Sequence, residues 1–94
     1  MKATFRGRVI ADSAQAVEVD GYWYFPRAAV QAGLLTAAAK TPADAQCPHG
    51  VQFYDVGQGR ERAPRSAWSY ERPGAAMQRV GGWIGFWDAV EVAG

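Results

Sequence analysis

The chain's only cysteine and only histidine stand two residues apart in CPHGVQFYDV, residues 47 to 56, at the mouth of an aromatic run. Imidazole beside a thiol can draw off its proton and leave a nucleophilic thiolate. Two such side chains are also half of a zinc site, which needs about four Cys, His or carboxylate ligands. The plainest reading makes Cys47 a small buried residue and His49 a turn residue before a strand. Only Asp44 and Asp55 are at hand to complete a metal set and no spacing marks them out, so neither metal nor cofactor is expected. In an extended strand residues 47 and 49 point to one side, which leaves open a site shared between two copies of the chain. Pro48 restricts the backbone between them and no third group orients the imidazole, so Cys47 is expected to alkylate slowly.

Arginine and aromatic side chains supply two further candidates. Arg60, Arg62 and Arg65 cluster after the GQG at 57 to 59, with Arg72 and Arg79 later. Such a group can hold a phosphate or carboxylate by paired hydrogen bonds, or form a solvated hairpin edge that resists aggregation. The solvated edge is the reading preferred here. GQGR is not a phosphate loop, because it lacks the lysine-serine or lysine-threonine ending and no long helix follows. Tyr22, Trp23, Tyr24, Phe53, Tyr54, Trp68, Tyr70, Trp83, Phe86 and Trp87 exceed what one face of each strand buries. Most must be core; the remainder are free to line a concavity that grips a flat or cationic ligand.

The elements that position these residues are short. A chain of 94 residues makes one domain, and one of that size buries only roughly 60 to 65% of its unfolded surface, which makes large aromatics valuable. In QAVEVDGYWYF, alternation through Val17 and Val19, then Asp20-Gly21, then an aromatic run, predicts a hairpin with a type I′ turn over 17 to 25. ATFRGRVI reads as a strand with Phe5 and Val9 on one face and Gly7 between them as a bulge or a close backbone approach. PRAAVQAG reads as a short helix starting at Pro26 and ending at Gly33. LLTAAAKTPADAQ, broken by Pro42, reads as a loop that becomes extended near Cys47. VQFYDV is a strand with Val51 and Phe53 on one face and Gln52, Tyr54 and Val56 on the other, and RERAPRSAWSY returns from the turn after it. AAMQRV makes one or two helical turns before Gly81-Gly82, and GWIGFW and VEV are β-rich.

Composition narrows the setting. Ten basic against nine acidic residues give a net charge of +1, too balanced for a nucleic-acid or anionic-membrane partner to be expected. One cysteine rules out an internal disulfide and fits a reducing, cytoplasmic compartment. The start, KATFRGRVI, has no apolar stretch of signal-peptide length, and no run approaches a membrane span.

The ordered series YFP (24 to 26), CP (47 and 48), FYDV, AWSY (67 to 70), GWIGFW and VEV resembles the bacterial domain of unknown function 427 (DUF427) family over nearly the whole chain. The matching positions are Tyr24, Phe25 and Pro26; Cys47, Pro48 and Tyr54; Ala67, Trp68 and Tyr70; and Gly82 and Phe86. The resemblance implies a bacterial, cytoplasmic protein with a mainly β, tent-like fold: two small antiparallel sheets leaning together, with two short helices. The family carries a nucleotidyltransferase-like label, and no such motif is present in these residues. It commonly follows cysteine-proline with an aromatic residue, lysine and glycine, where this chain has His49-Gly50-Val51. Lys40 is the residue placed to reach the same space.

These readings converge on a single-domain, small-ligand-binding module whose pocket combines Cys47, His49, Tyr54, Trp68 and Tyr70, working as a monomer or weak homodimer. The first alternative is an enzyme acting on a nucleotide or other small phosphorylated compound through Cys47 or His49 as catalytic groups. The second is a protein-interaction domain that pairs through a strand edge.

Overall fold

The computed structural model describes all 94 residues. Nine strands lie in two antiparallel sheets: β1 (Lys2–Phe5), β2 (Arg8–Asp12), β3 (Val17–Val19), β4 (Tyr22–Phe25), β5 (Leu35–Ala37), β6 (Val51–Val56), β7 (Ala63–Tyr70), β8 (Ile84–Phe86) and β9 (Glu91–Ala93). The small sheet runs β2-β1-β9 and the large one β3-β4-β8-β7-β6-β5. Strand outweighs helix, 43% against 20%, as the short alternating runs require. No helix is long and apolar enough to cross a membrane.

Two tight hairpins start the chain. At the β3–β4 tip Asp20 and Gly21 have φ of 53° and 89°, the paired left-handed residues of a type I′ turn. The β1–β2 tip is built the same way by Arg6 and Gly7, with φ of 51° and 79°. Gly7 therefore closes a turn where a bulge or close approach within one strand was expected, and arginine in the other left-handed position hid that signal. Phe5 and Val9 consequently part company, 7% and 40% exposed. The irregularity falls further on, where Ala3 pairs with Ala11 but Thr4 with Val9, so that Ile10 and Ala11 both enter the core.

AAMQRV forms the turns the sequence implies, a 3-10 helix over Ala75–Val80 that stops at Gly81, but the earlier helical segment is broken. PRAAVQAG splits into two 3-10 turns, Arg27–Ala29 and Ala32–Leu34, because Val30 between them is extended, buried and bridged to Ala11. The stretch read as a loop holds β5 and one α-helical turn, α1 (Pro42–Ala45). Thr41 caps that turn, accepting from the Asp44 N–H while the Asp44 carboxylate accepts from the Thr41 N–H. Pro42 sits at its first position, where a missing N–H costs nothing, so the residue that rules out a long helix starts a short one.

Burial divides along the two faces of the large sheet. One faces the small sheet over a core of 13 residues that includes Phe5, Ile10, Phe25, Val56, Ala67, Ile84 and Phe86. The other carries a second cluster of Tyr24, Val51, Trp68, Met77 and Val80. Strand β4 feeds both: Trp23 and Phe25 join the first, while Tyr24 joins the second and Tyr22 stays exposed beside it. Gly85 of β8 lies between Tyr24 and Trp68 in the register, and a Cβ there would fall 2.7 Å from the Trp68 ring and 3.0 Å from that of Tyr24. Gly85→Ala should therefore cost about 1–3 kcal/mol by overpacking, read from urea unfolding midpoints. A neutral result would show that Trp68 moves freely.

Candidate functional site

The second face is where the chain turns concave. Phe53 pairs with Trp68 and Val51 with Tyr70 across β6 and β7, so alternation aims all four side chains to one side. Trp68 pairs onward with Gly85, and Gly85 with Tyr24. With Tyr22, Cys47 and Trp87 the four enclose an open groove of about 230 Å³, in which every lining residue is apolar or aromatic.

Trp68 is the floor, only 5% exposed. Its ring meets Tyr22 at 5.2 Å and 90°, Tyr24 at 5.8 Å and 89°, and Trp87 at 5.9 Å and 81°. The Trp68 indole N–H is buried with no well-formed hydrogen bond, though it lies near enough to the Tyr24 phenol to temper that group's upward shift. Tyr22 and Trp87 form the rim at 41% and 42% exposure, two of the three large apolar side chains that the domain leaves open. Beneath them, burial and then the neighbouring Tyr70 push the Tyr24 phenol far above its ordinary range, so it brings no negative charge to this face.

One residue that the sequence reading left on a solvated edge organises these walls. Arg65 sits in the register irregularity between β6 and β7, at a left-handed φ of 53°. Its N–H donates to Asp55 Oδ1 at 3.0 Å and its carbonyl accepts from the Trp87 indole N–H at 2.7 Å. Its guanidinium lies 4.1 Å from the centre of the Phe53 ring and donates to Asp44 Oδ1 at 2.7 Å. Engaged in this way, Arg65 is not an anion anchor, whereas Arg60 and Arg62 are exposed as expected.

Of the five residues assigned to the pocket from sequence, Cys47, Trp68 and Tyr70 line the groove. Tyr54 faces away: it pairs with Ala67 and packs on the inter-sheet core, with Arg27 Nη1 3.5 Å from its hydroxyl. Alternation separates the faces of β6, but only the Phe53–Trp68 pairing decides which face β7 shares, and that pairing is not written locally. His49 belongs to a turn closed by the Gly50 N–H donating to the Cys47 carbonyl, so the expectation that 47 and 49 share the side of an extended strand does not hold. Its ring lies 5.1 Å from Tyr70, outside the groove lining. Nδ1 accepts from the Gly74 N–H at 2.8 Å, which places the proton of neutral imidazole on Nε2 and occupies the lone pair that a base would use. Lys40 does reach this region, donating to the Val51 carbonyl at 2.8 Å. No three His, Cys, Asp or Glu side chains gather to hold a metal ion.

Fold and groove together define a small two-sheet β domain with an aromatic concavity on the outer face of its larger sheet. The chain belongs to the family described as a domain of unknown function, DUF427, whose model matches residues 1–93. No curated protein matches it.

Arg65, then the Thr41 N–H, hold the Asp44 carboxyl down at about 2. An unfolded aspartate titrates near ~3.9, so the stability contributed by this pair is complete above that value and is lost as pH falls toward 2. Asp44→Asn should flatten the loss of stability between pH 4 and pH 2 in urea titrations. An unchanged slope would assign that acid sensitivity to other carboxylates.

Proposed function

We propose that this domain binds a small organic ligand whose apolar or aromatic-seeking part enters the groove between Tyr22, Trp68 and Trp87. The observation that carries the reading is the pairing of two exposed rim aromatics with a concave, uncharged floor. A domain this small loses stability by leaving Tyr22 and Trp87 in water, since burying such side chains is its main source of stabilisation. A groove of 230 Å³ lies below the usual range of drug-sized pockets, about 300–1,000 Å³, which points to a small ligand or to one head group of a larger one. A cytoplasmic setting, where Cys47 stays a thiol, agrees with this reading.

The enzyme reading has Cys47 on the groove wall in its favour. Against it stands His49, whose basic nitrogen is tied to Gly74. The two readings part on one measurement, alkylation of Cys47 by iodoacetamide near neutral pH. His49→Ala should leave the rate unchanged; a steep loss of rate would restore the thiol–imidazole pair and with it the catalytic alternative. Binding itself is tested by thermal shift with small neutral apolar and aromatic compounds, indole and cyclohexanol among them, because a ligand selective for the folded state raises Tm. The shift should vanish in Trp87→Ser and Tyr22→Ser, and a wild-type protein that answers to no compound, neutral or cationic, would overturn the proposal.

A further inference from the structure

We propose that the groove is built for an organic cation, a small molecule carrying a methylated ammonium head, held at the corner formed by Tyr22, Trp68 and Trp87. This inference rests on the groove being a ligand site. The first observation is shape. The three rings stand nearly perpendicular to one another, at 90°, 81° and 82°, with centroids 5.2, 5.9 and 6.4 Å apart. Phe53 is tilted by 37° to Trp87 and 47° to Trp68, so none of these pairs forms a parallel slot. A flat ring stacks best between parallel walls, whereas a rounded head in a three-sided corner meets aromatic surface from several directions. The negative face of each ring attracts a cation and gives no such gain to an uncharged group of the same form.

The second observation is charge. Asp20 stands two residues before Tyr22 and Asp88 directly after Trp87; both are exposed and neither is in an ion pair. Asp20 lies near enough to act on the Tyr24 phenol beneath this rim, and Asp88 follows Trp87 in the chain. The lining itself contains no lysine or arginine. Two cations that touch lining residues are already engaged: Arg65, over Phe53, is paired with Asp44, and Lys40 donates to the Val51 carbonyl. A methylated ammonium also suits a groove whose walls offer little hydrogen bonding, because it has no N–H to satisfy.

The test compares choline with 3,3-dimethyl-1-butanol, its uncharged carbon isostere, and with indole, by isothermal titration calorimetry on the intact chain. Choline should bind at least about tenfold more tightly than the isostere, and Trp87→Leu or Tyr22→Leu should weaken it by about tenfold, the scale of one desolvated cation–π contact. Because Trp87 also donates its indole N–H to the Arg65 carbonyl, Tyr22→Leu is the decisive variant, and Trp87→Phe, which keeps a ring but loses that bond, should fall between; circular dichroism verifies the fold of each variant. Asp20→Asn combined with Asp88→Asn should weaken choline and leave the isostere unchanged. Equal binding of choline and isostere, or indole binding without choline, overturns the cation and leaves the groove as a ligand site. Choline binding that ignores both rim substitutions overturns it by placing the cation elsewhere. If none of the three compounds binds, the cation inference fails, and the neutral-compound screen decides separately whether the groove binds anything.

Discussion

The groove depends on a single residue held in an unfavourable backbone state. Arg65 at positive φ costs about 1–2 kcal/mol relative to ordinary strand geometry. Its N–H to Asp55 and its carbonyl to Trp87 each return about 0.5–1.5 kcal/mol net, and the guanidinium over Phe53 about 0.5–1 more. The contacts outweigh the strain, so the irregularity is stable where it stands. Its consequence is geometric. One residue joins the segment after β8, which carries Trp87, to the strand that carries Phe53 and to the helical turn at Asp44, whose carbonyl then receives the Cys47 N–H. Three walls that are far apart in the chain are set from one point.

The large sheet supplies the other constraint, since it must serve two faces from the same strands. In β4, four consecutive aromatics alternate so that Phe25 is sealed against the small sheet while Tyr22 reaches solvent on the opposite side. Gly85 is what lets the second face become concave: without a side chain on β8, Trp68 lies down across it and meets Tyr24 edge to face. The lack of a well-formed hydrogen bond at the Trp68 N–H follows from this placement. The ring is positioned by packing, which the sheet enforces, rather than by its own hydrogen bond.

Local chemistry was readable and long-range registration was not. Asp20-Gly21 announces its hairpin, the alternation in VQFYDV separates its two faces correctly, and Cys47, Trp68 and Tyr70 meet in one concavity although 20 residues of chain lie between Cys47 and Trp68. Tyr54 was placed with them because motif order carries no face. Which side of β6 accompanies Trp68 is settled by a cross-strand pairing that a single sequence does not display. The turn at Arg6-Gly7 and the irregularity at Arg65 are hidden for a related reason: arginine is not a residue expected at positive φ, so an ordinary side chain masks both. Trp87 and Tyr22 were visible as aromatics, but their place at the rim depends on Arg65 and on the hairpin tip.

The departure from the family's lysine fits the same logic of position over identity. The family places a lysine between the cysteine-proline turn and β6, where this chain has Gly50 at a φ of 63° with Arg72 packed against it. A side chain there would take up a left-handed backbone and press on Arg72, which would have to shift by a few tenths of an ångström to admit it. Lys40 arrives from the other side and donates to the Val51 carbonyl, placing an ammonium at the start of the same strand by a different route. Its charge faces a backbone oxygen and stays outside the groove lining, which is uncharged. A lysine in that role steadies the strand end that carries Val51 and Phe53. It therefore contributes to the shape of the concavity, and the part of the site that distinguishes one ligand from another is left to the rings.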